Sequence, residues 1–242
     1  ETQYYLHRSA AGMPMLNADD QFGYAVADLG LVDGDDVSDL AVSAIGHDGG
    51  RGIVYIFLMN ADGSMSRMPD LVGFGRSSKP TRVADYSYQQ HCDWARALIE
   101  TLDLRGITLF GQDWGSLIGL RVAAENGQRF ARIALGNGGL PTGDQTMPDA
   151  FMKWRAFALH SPYFPIGKII QKGTTTNLRD DVVGAYDAPF PSRKFKAGAR
   201  MFPALVPVRP DDPASDDNRR AWDAFGRWEK PFLTAFSDKD PI

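Results

Sequence analysis

Residues 107–115 read Ile107-Thr108-Leu109-Phe110-Gly111-Gln112-Asp113-Trp114-Gly115. The first four are β-branched or apolar and suit a buried strand, and an amphipathic helix pattern follows from 115 to 126. A carboxylate therefore sits at a sharp strand-to-helix turn, with glycine two positions either side because no bulky residue fits beside the tip of such a turn. This is the form of a nucleophile elbow with Asp113 at its tip, and it points to covalent hydrolysis. The helix runs to about Asn126-Gly127, and its positive end keeps a carboxylate at Asp113 ionised. An ionised carboxylate suits attack on an alkyl carbon. Gly-x-Asp-x-Gly also fits a turn with an N-capping Asp, so the neighbouring residues must decide.

The chain has 242 residues, 43% of them apolar, enough to bury the core of one large domain or two small ones. A net charge of −4 gives no electrostatic case for nucleic acid or an anionic membrane as partner. Cys92 is the single cysteine, so an internal disulfide is excluded and zinc has no thiolate pair. No apolar stretch approaches the roughly 20 residues that span a bilayer, and no signal segment is visible at the amino end.

Charge changes abruptly near residue 67. Residues 1–67 hold 10 acidic and 3 basic residues with no lysine, and the remainder holds 20 acidic and 23 basic, as if two sequences of different origin were joined. The first part predicts about three antiparallel strands, at Phe22 to Leu29, Asp39 to Ala44 and Gly52 to Leu58, with Gly- and Asp-rich turns between them. The second part alternates: helix from Ser87 to Leu102, strand at 107–110, helix at 115–126, strand from Arg132 to Leu135. Helical, Pro-rich material then leads to a strand from Phe232 to Ser237. Such alternation predicts an α/β class with helices packed on a parallel sheet.

Asp20-Gln21-Phe22-Gly23-Tyr24 and the run from Asp33 to Val42 (Asp-Gly-Asp-Asp-Val-Ser-Asp-Leu-Ala-Val) resemble an FG-GAP repeat. That repeat is one blade of the integrin-alpha type of β-propeller, and the resemblance covers about residues 16–63. It implies a calcium loop in which Asp33, Asp35 and Asp39 match the third, fifth and ninth positions. Leu31 offers no oxygen at the first position, and Asp36 replaces the usual glycine at the sixth. A solvated acidic turn is the other reading. One blade has no neighbours on which to bury its faces, so exposed edges are expected.

From about Met68 the sequence resembles the haloalkane dehalogenases of the α/β-hydrolase superfamily. Five strings in the family's order carry the likeness: Pro69 to Ser77 (Pro-Asp-Leu-Val-Gly-Phe-Gly-Arg-Ser), the elbow with its Asp113-Trp114 pair, Leu140-Pro141-Thr142-Gly143-Asp144, Ala185 to Pro191 (Ala-Tyr-Asp-Ala-Pro-Phe-Pro), and Phe232 to Pro241. Gly73 to Ser77 lacks the lysine and third glycine of a phosphate loop and is expected to form a turn. The implied fold is a partial α/β-hydrolase sheet over 68–242 with a helical cap at about 145–225, preceded by the small antiparallel blade of residues 1–67.

The resemblance also implies roles. Asp113 is the nucleophile that displaces halide from an sp³ carbon to give an alkyl ester. Trp114 and the cap residue Trp154 donate indole N–H groups to the leaving halide. Phe202 and Pro203 line the substrate cavity, and Asp240, just before a proline in the loop after a late strand, is the triad acid with Asp238 as its rival. Core packing is the other reading for each tryptophan and for Phe202 and Pro203. The expected substrate is a small halogenated alkane, with no metal or organic cofactor.

The family's base histidine lies beyond the acid and one further strand, and the sequence stops at Ile242. His7, His47, His91 and His160 do not match it. The family's early strands and His-Gly loop are also absent, so open sheet edges and a single turnover at Asp113 are expected. Epoxide hydrolase is the nearest rival, since its elbow also uses Asp but its cap supplies two tyrosines, for which Tyr163 and Tyr186 are candidates. A calcium-binding or adhesive propeller protein is the rival of a different class. The blade argues for export, and the hydrolase part for a cell interior or periplasm.

Overall fold

Three short runs rich in β-branched and apolar residues form β1 (Phe22–Gly30), β2 (Asp39–Ala44) and β3 (Ile53–Phe57). In the computed structural model, which describes residues 22–30, 37, 39–44, 53–57 and 70–238, these strands pair antiparallel in the order β1-β2-β3. Val26 pairs with Val42, and Leu40 with Phe57. The register between β1 and β2 shifts twice, between Phe22 and Val26 and between Asp28 and Gly30. By its contacts the chain divides into two units, Glu1–Pro69 with Leu102–Leu104 and Asp70–Thr101 with Arg105–Ile242.

The second unit begins with a tight turn. The Asp70 carboxylate accepts the Arg76 backbone N–H at 2.7 Å, and the Ser77 hydroxyl donates to the Asp70 carbonyl. Gly75 has φ +43°, and a Cβ there would lie 2.3 Å from the Asp70 carboxyl carbon, so the turn excludes any side chain at that position. The segment from Gly73 to Ser77 is thus a turn, as expected.

Helix α1 (Tyr88–Thr101) starts at Ser87, whose hydroxyl accepts the Gln90 N–H at 3.0 Å. A cap of this kind contributes about 1 kcal/mol. Tyr88, His91 and Cys92 are buried on one face, and Ala95 and Ile99 continue it at helical spacing against the core. The chain then forms β4 (Ile107–Gln112), α2 (Trp114–Glu125) and β5 (Phe130–Gly136). Parallel neighbours need a crossover, and α2 supplies it. Among the described strands β6 (Phe232–Ala235) completes a parallel sheet of order β4-β5-β6.

Leu109 pairs with Ile133, and Ile133 with Phe232, so these residues share a sheet face. Helix α2 lies close on that face: a Cβ at Gly119 would stand 2.8 Å from Leu109 Cδ1. Leu117, Ile118, Leu120, Val122 and Ala123 are all buried, which makes α2 an interior helix. Each large apolar side chain removed from water there stabilises the fold by roughly 2 kcal/mol. On the other face Phe110 is 69% and Leu233 61% exposed. Parallel sheets ordinarily bury both faces.

Four helices follow β5: α3 (Asp149–His160), α4 (Ile166–Gly173), α5 (Asp180–Asp187) and α6 (Ala197–Leu205). α3 packs on α6, and α4 on α5. The next helix, α7 (Ser215–Phe225), packs on α2. The reason is polar. Arg121 of α2, 1% exposed, donates to Asn218 of α7 at 3.2 Å, to Gln89 of α1 at 2.9 Å and to Glu125 at 2.8 Å, and it pairs with Asp217 at 3.2 Å. A buried guanidinium needs such partners, and they bind three helices to one side chain. Among the described residues no helix is long and apolar enough to cross a membrane.

Candidate active site

At the end of β4 the backbone turns through Asp113 with φ 46° and ψ −126°. A non-glycine residue is rare there, and such a conformation persists only where surrounding structure enforces it. Three contacts do so. The Asp113 carbonyl accepts N–H groups of Ser116 at 2.9 Å and Leu117 at 3.2 Å, and the Ser116 hydroxyl at 2.6 Å. The Asp113 side chain makes no capping bond to α2, so the N-cap reading of the motif does not describe this residue. Gly111 is required, because a Cβ on it would lie 2.9 Å from the Ser116 Cα. Gly115 is not crowded in this way: its added Cβ would meet nothing within 4 Å.

A second loop, just after β5, grips the elbow. The Asp113 N–H donates to the Asn137 carbonyl at 3.3 Å, and the Gly139 N–H donates to the Ser116 hydroxyl at 3.0 Å. A Cβ at Gly138 would fall 2.2 Å from the Ser116 hydroxyl oxygen. The Asn137 side-chain carbonyl in turn accepts the Ser237 N–H at 2.7 Å, which fixes the start of the loop after β6. Asn137, Gly138 and Ser116, which hold the elbow, are residues that sequence reasoning missed. Their one sequence signal was Asn-Gly-Gly directly after a strand.

Trp114, the first residue of α2, stands beside an aromatic cluster. Its ring lies 4.5 Å from Phe202 edge-on, 5.3 Å from Tyr88 and 6.3 Å from His91. Phe74, from the turn at 70–78, packs 4.6 Å from Phe202, and Phe190 lies 6.4 Å from Phe74. Phe202 and Pro203 are both buried on α6. The Tyr88 hydroxyl donates to the Leu117 carbonyl at 2.7 Å, and burial holds its pKa well above the ordinary phenol value. Trp114, Phe202, Phe74, Tyr88 and His91 thus form one aromatic cluster next in the chain to Asp113, drawn from the turn, α1, α2 and α6.

Trp154 has other ring neighbours. On α3 it stacks 5.9 Å from Phe157 and 5.9 Å from Phe164, and Arg200 sits over Phe164 at 5.0 Å. No ring contact joins it to Trp114 among the described residues. Asp238 is exposed in the loop that Asn137 anchors, and Asp240 lies outside the described residues. So do Asp33 and Asp35, and Asp39 is described only as the first residue of β2. Among the described residues no cluster of His, Cys, Asp or Glu fits a metal ion. Tyr163 and Tyr186, the pair an epoxide hydrolase would need, are exposed.

The sequence profile of the alpha/beta hydrolase fold matches residues 67–195. The haloalkane dehalogenase of Mycobacterium marinum is 56% identical over 174 residues, which are 72% of this chain and 59% of that protein. That of Psychrobacter cryohalolentis is 52% identical over 185 residues, 76% of this chain and 61% of the relative. The chain therefore spans about 60% of the length of these curated relatives. Among solved structures, the tetrameric haloalkane dehalogenase DpaA of Paraglaciecola agarilytica NO2 superposes with a TM-score of 0.66 at 25% identity, over 92% of this chain and 79% of that one.

Proposed function

This chain belongs to the α/β-hydrolase fold family, and on that premise we propose that residues 68–242 carry haloalkane dehalogenase chemistry, with a helical cap at about 145–225. The observation that bears most weight is Asp113 held at φ 46° and ψ −126° on the elbow, with Trp114 beside it and Phe202 packed on Trp114. An Asp113 oxygen attacks the halogen-bearing carbon, and the new C–O bond forms as the carbon–halogen bond breaks and its electron pair departs on the halide. The charge that develops on the halide is met by the Trp114 N–H and, from the cap, the Trp154 N–H. Hydrolysis of the ester then takes water adding at its carbonyl carbon and a histidine base to accept the water's proton, a base that none of His7, His47, His91 and His160 matches. Expulsion of the alcohol returns the Asp113 carboxylate. Asp240 serves as the acid that orients the base, and Phe202 and Pro203 bound an apolar cavity for a small halogenated alkane. None of these steps calls for a metal or organic cofactor.

Epoxide opening is less well supported, because exposed Tyr163 and Tyr186 are poorly placed to protonate an epoxide oxygen in a closed site. Incubation with 1-bromobutane and with styrene oxide separates the two. The expected result is bromide release from the first, absent in Asp113→Asn, and no diol from the second. Diol without bromide would overturn the assignment.

For about residues 16–63 a second reading is an FG-GAP-type blade with a weak calcium loop at Asp33, Asp35 and Asp39. The antiparallel order β1-β2-β3 supports it. Calcium titration of the chain and of Asp35→Asn tests the loop: heat of binding confined to the parent is expected, and no heat from either would remove it.

A further inference from the structure

His91 is 1% exposed, and neither its Nδ1 nor its Nε2 has a hydrogen-bond partner. Four aromatic rings enclose it: Phe202 at 4.8 Å, Trp94 at 5.1 Å, Tyr86 at 5.9 Å and Trp114 at 6.3 Å. The Tyr86 hydroxyl donates to the Pro80 carbonyl at 2.8 Å, and no hydrogen bond joins it to His91. A buried polar ring left unpaired is costly, and a phenyl ring would fill the same space without that cost. Two of its four neighbours are Trp114, the proposed halide donor, and Phe202, proposed to line the substrate cavity.

We infer that the His91 imidazole is an additional N–H donor to an anion held against Trp114, namely the halide released from Asp113's substrate. This rests on the dehalogenase reading of the same site. An anion that accepts from an indole and an imidazole N–H, at about 3 Å each, sets the two nitrogens no more than about 6 Å apart. The centroids of the Trp114 and His91 rings lie 6.3 Å apart, so the two rings are near enough to flank one anion. Burial holds the imidazole pKa down to about 4, so the ring is neutral at pH 7 with one N–H to donate. A neutral donor stabilises the halide as it forms and still lets it leave.

Saturable quenching of tryptophan fluorescence by sodium bromide tests the inference on the full chain and on His91→Phe and His91→Gln. The inference predicts that His91→Phe weakens bromide binding about tenfold without lowering Tm, and that His91→Gln, which keeps an N–H, recovers most of the loss. Unchanged bromide affinity in a folded His91→Phe would overturn it and leave the dehalogenase reading intact. No saturable bromide response in the parent would remove both. Imidazole nitrogen NMR of the parent decides independently of any variant's folding. A His91 nitrogen resonance, distinguished from those of His7, His47 and His160, must move on bromide addition, and a stationary one overturns the inference.

Discussion

Asp113 holds a backbone conformation that favours glycine, at φ 46° and ψ −126°, and the Ser116 and Asn137 contacts keep it there. Strain of this kind is typically about 1–3 kcal/mol, partly offset in a glycine variant by that residue's greater unfolded-state freedom. Asp113→Gly is therefore expected to raise stability by about 1 kcal/mol, or Tm by about 3 °C, while abolishing reaction with haloalkanes. A lower Tm in scanning calorimetry would mean that the carboxylate is part of the fold's support. His91 gives a pH dependence of definite sign. Its folded pKa of about 4 lies below the ordinary value of 6.5, so the unfolded chain binds the proton more tightly. Its contribution to stability is complete above pH 6.5 and is lost as pH falls through that value toward 4, by roughly 3 kcal/mol at most. Denaturant titrations at pH 7 and pH 4.5 check this: His91→Phe is expected to gain on the parent at the lower pH, and a constant gap would refute it.

Helix α2 is the element on which the site depends, because its first turn carries Trp114 and its interior is fastened by Arg121 to α1 and α7. Removing the guanidinium alone leaves the Gln89 and Asn218 side-chain carbonyls without their donor and, among the described residues, leaves Glu125 only Arg96 and Asp217 only Arg220 as cationic partner. Arg121→Met is expected to cost about 3 kcal/mol in urea unfolding, with part of the loss recovered in Arg121→Met/Glu125→Gln. A loss below about 1 kcal/mol would show that solvent screens the network. The strand, elbow and helix at 107–125 were legible because their signals are local: a β-branched apolar run, a glycine that steric contact demands, and helical periodicity. The Arg121 network was not, since Gln89 and Asn218 lie 32 and 97 residues away from it in the chain. Nor was the docking of α7 on α2 through Asn218.

At the scale of the whole molecule, the site is assembled from the turn at 70–78, α1, the elbow, the Asn137 loop and α6, pieces separated by long stretches of chain. The resemblance put Asp113, Trp114 and Phe202 in one group, and the packing of Phe202 on Trp114 was beyond periodicity because family resemblance carries tertiary information that periodicity lacks. The packing of Trp154 on Phe157 and Phe164 was beyond reach, since it depends on how α3 sits against its neighbours. The exposure of Phe110 and Leu233 follows from the same logic, as a parallel sheet reads equally apolar whether or not a layer covers it. The central claim is that Asp113 is the nucleophile, and peptide mass spectrometry after reaction with 1-bromobutane in oxygen-18 water reads it directly. The segment carrying Asp113 is predicted to gain either a butyl group, as the ester, or oxygen-18, as the product of its hydrolysis. Bromide release with that segment unlabelled, or the label on another carboxylate, would contradict the account.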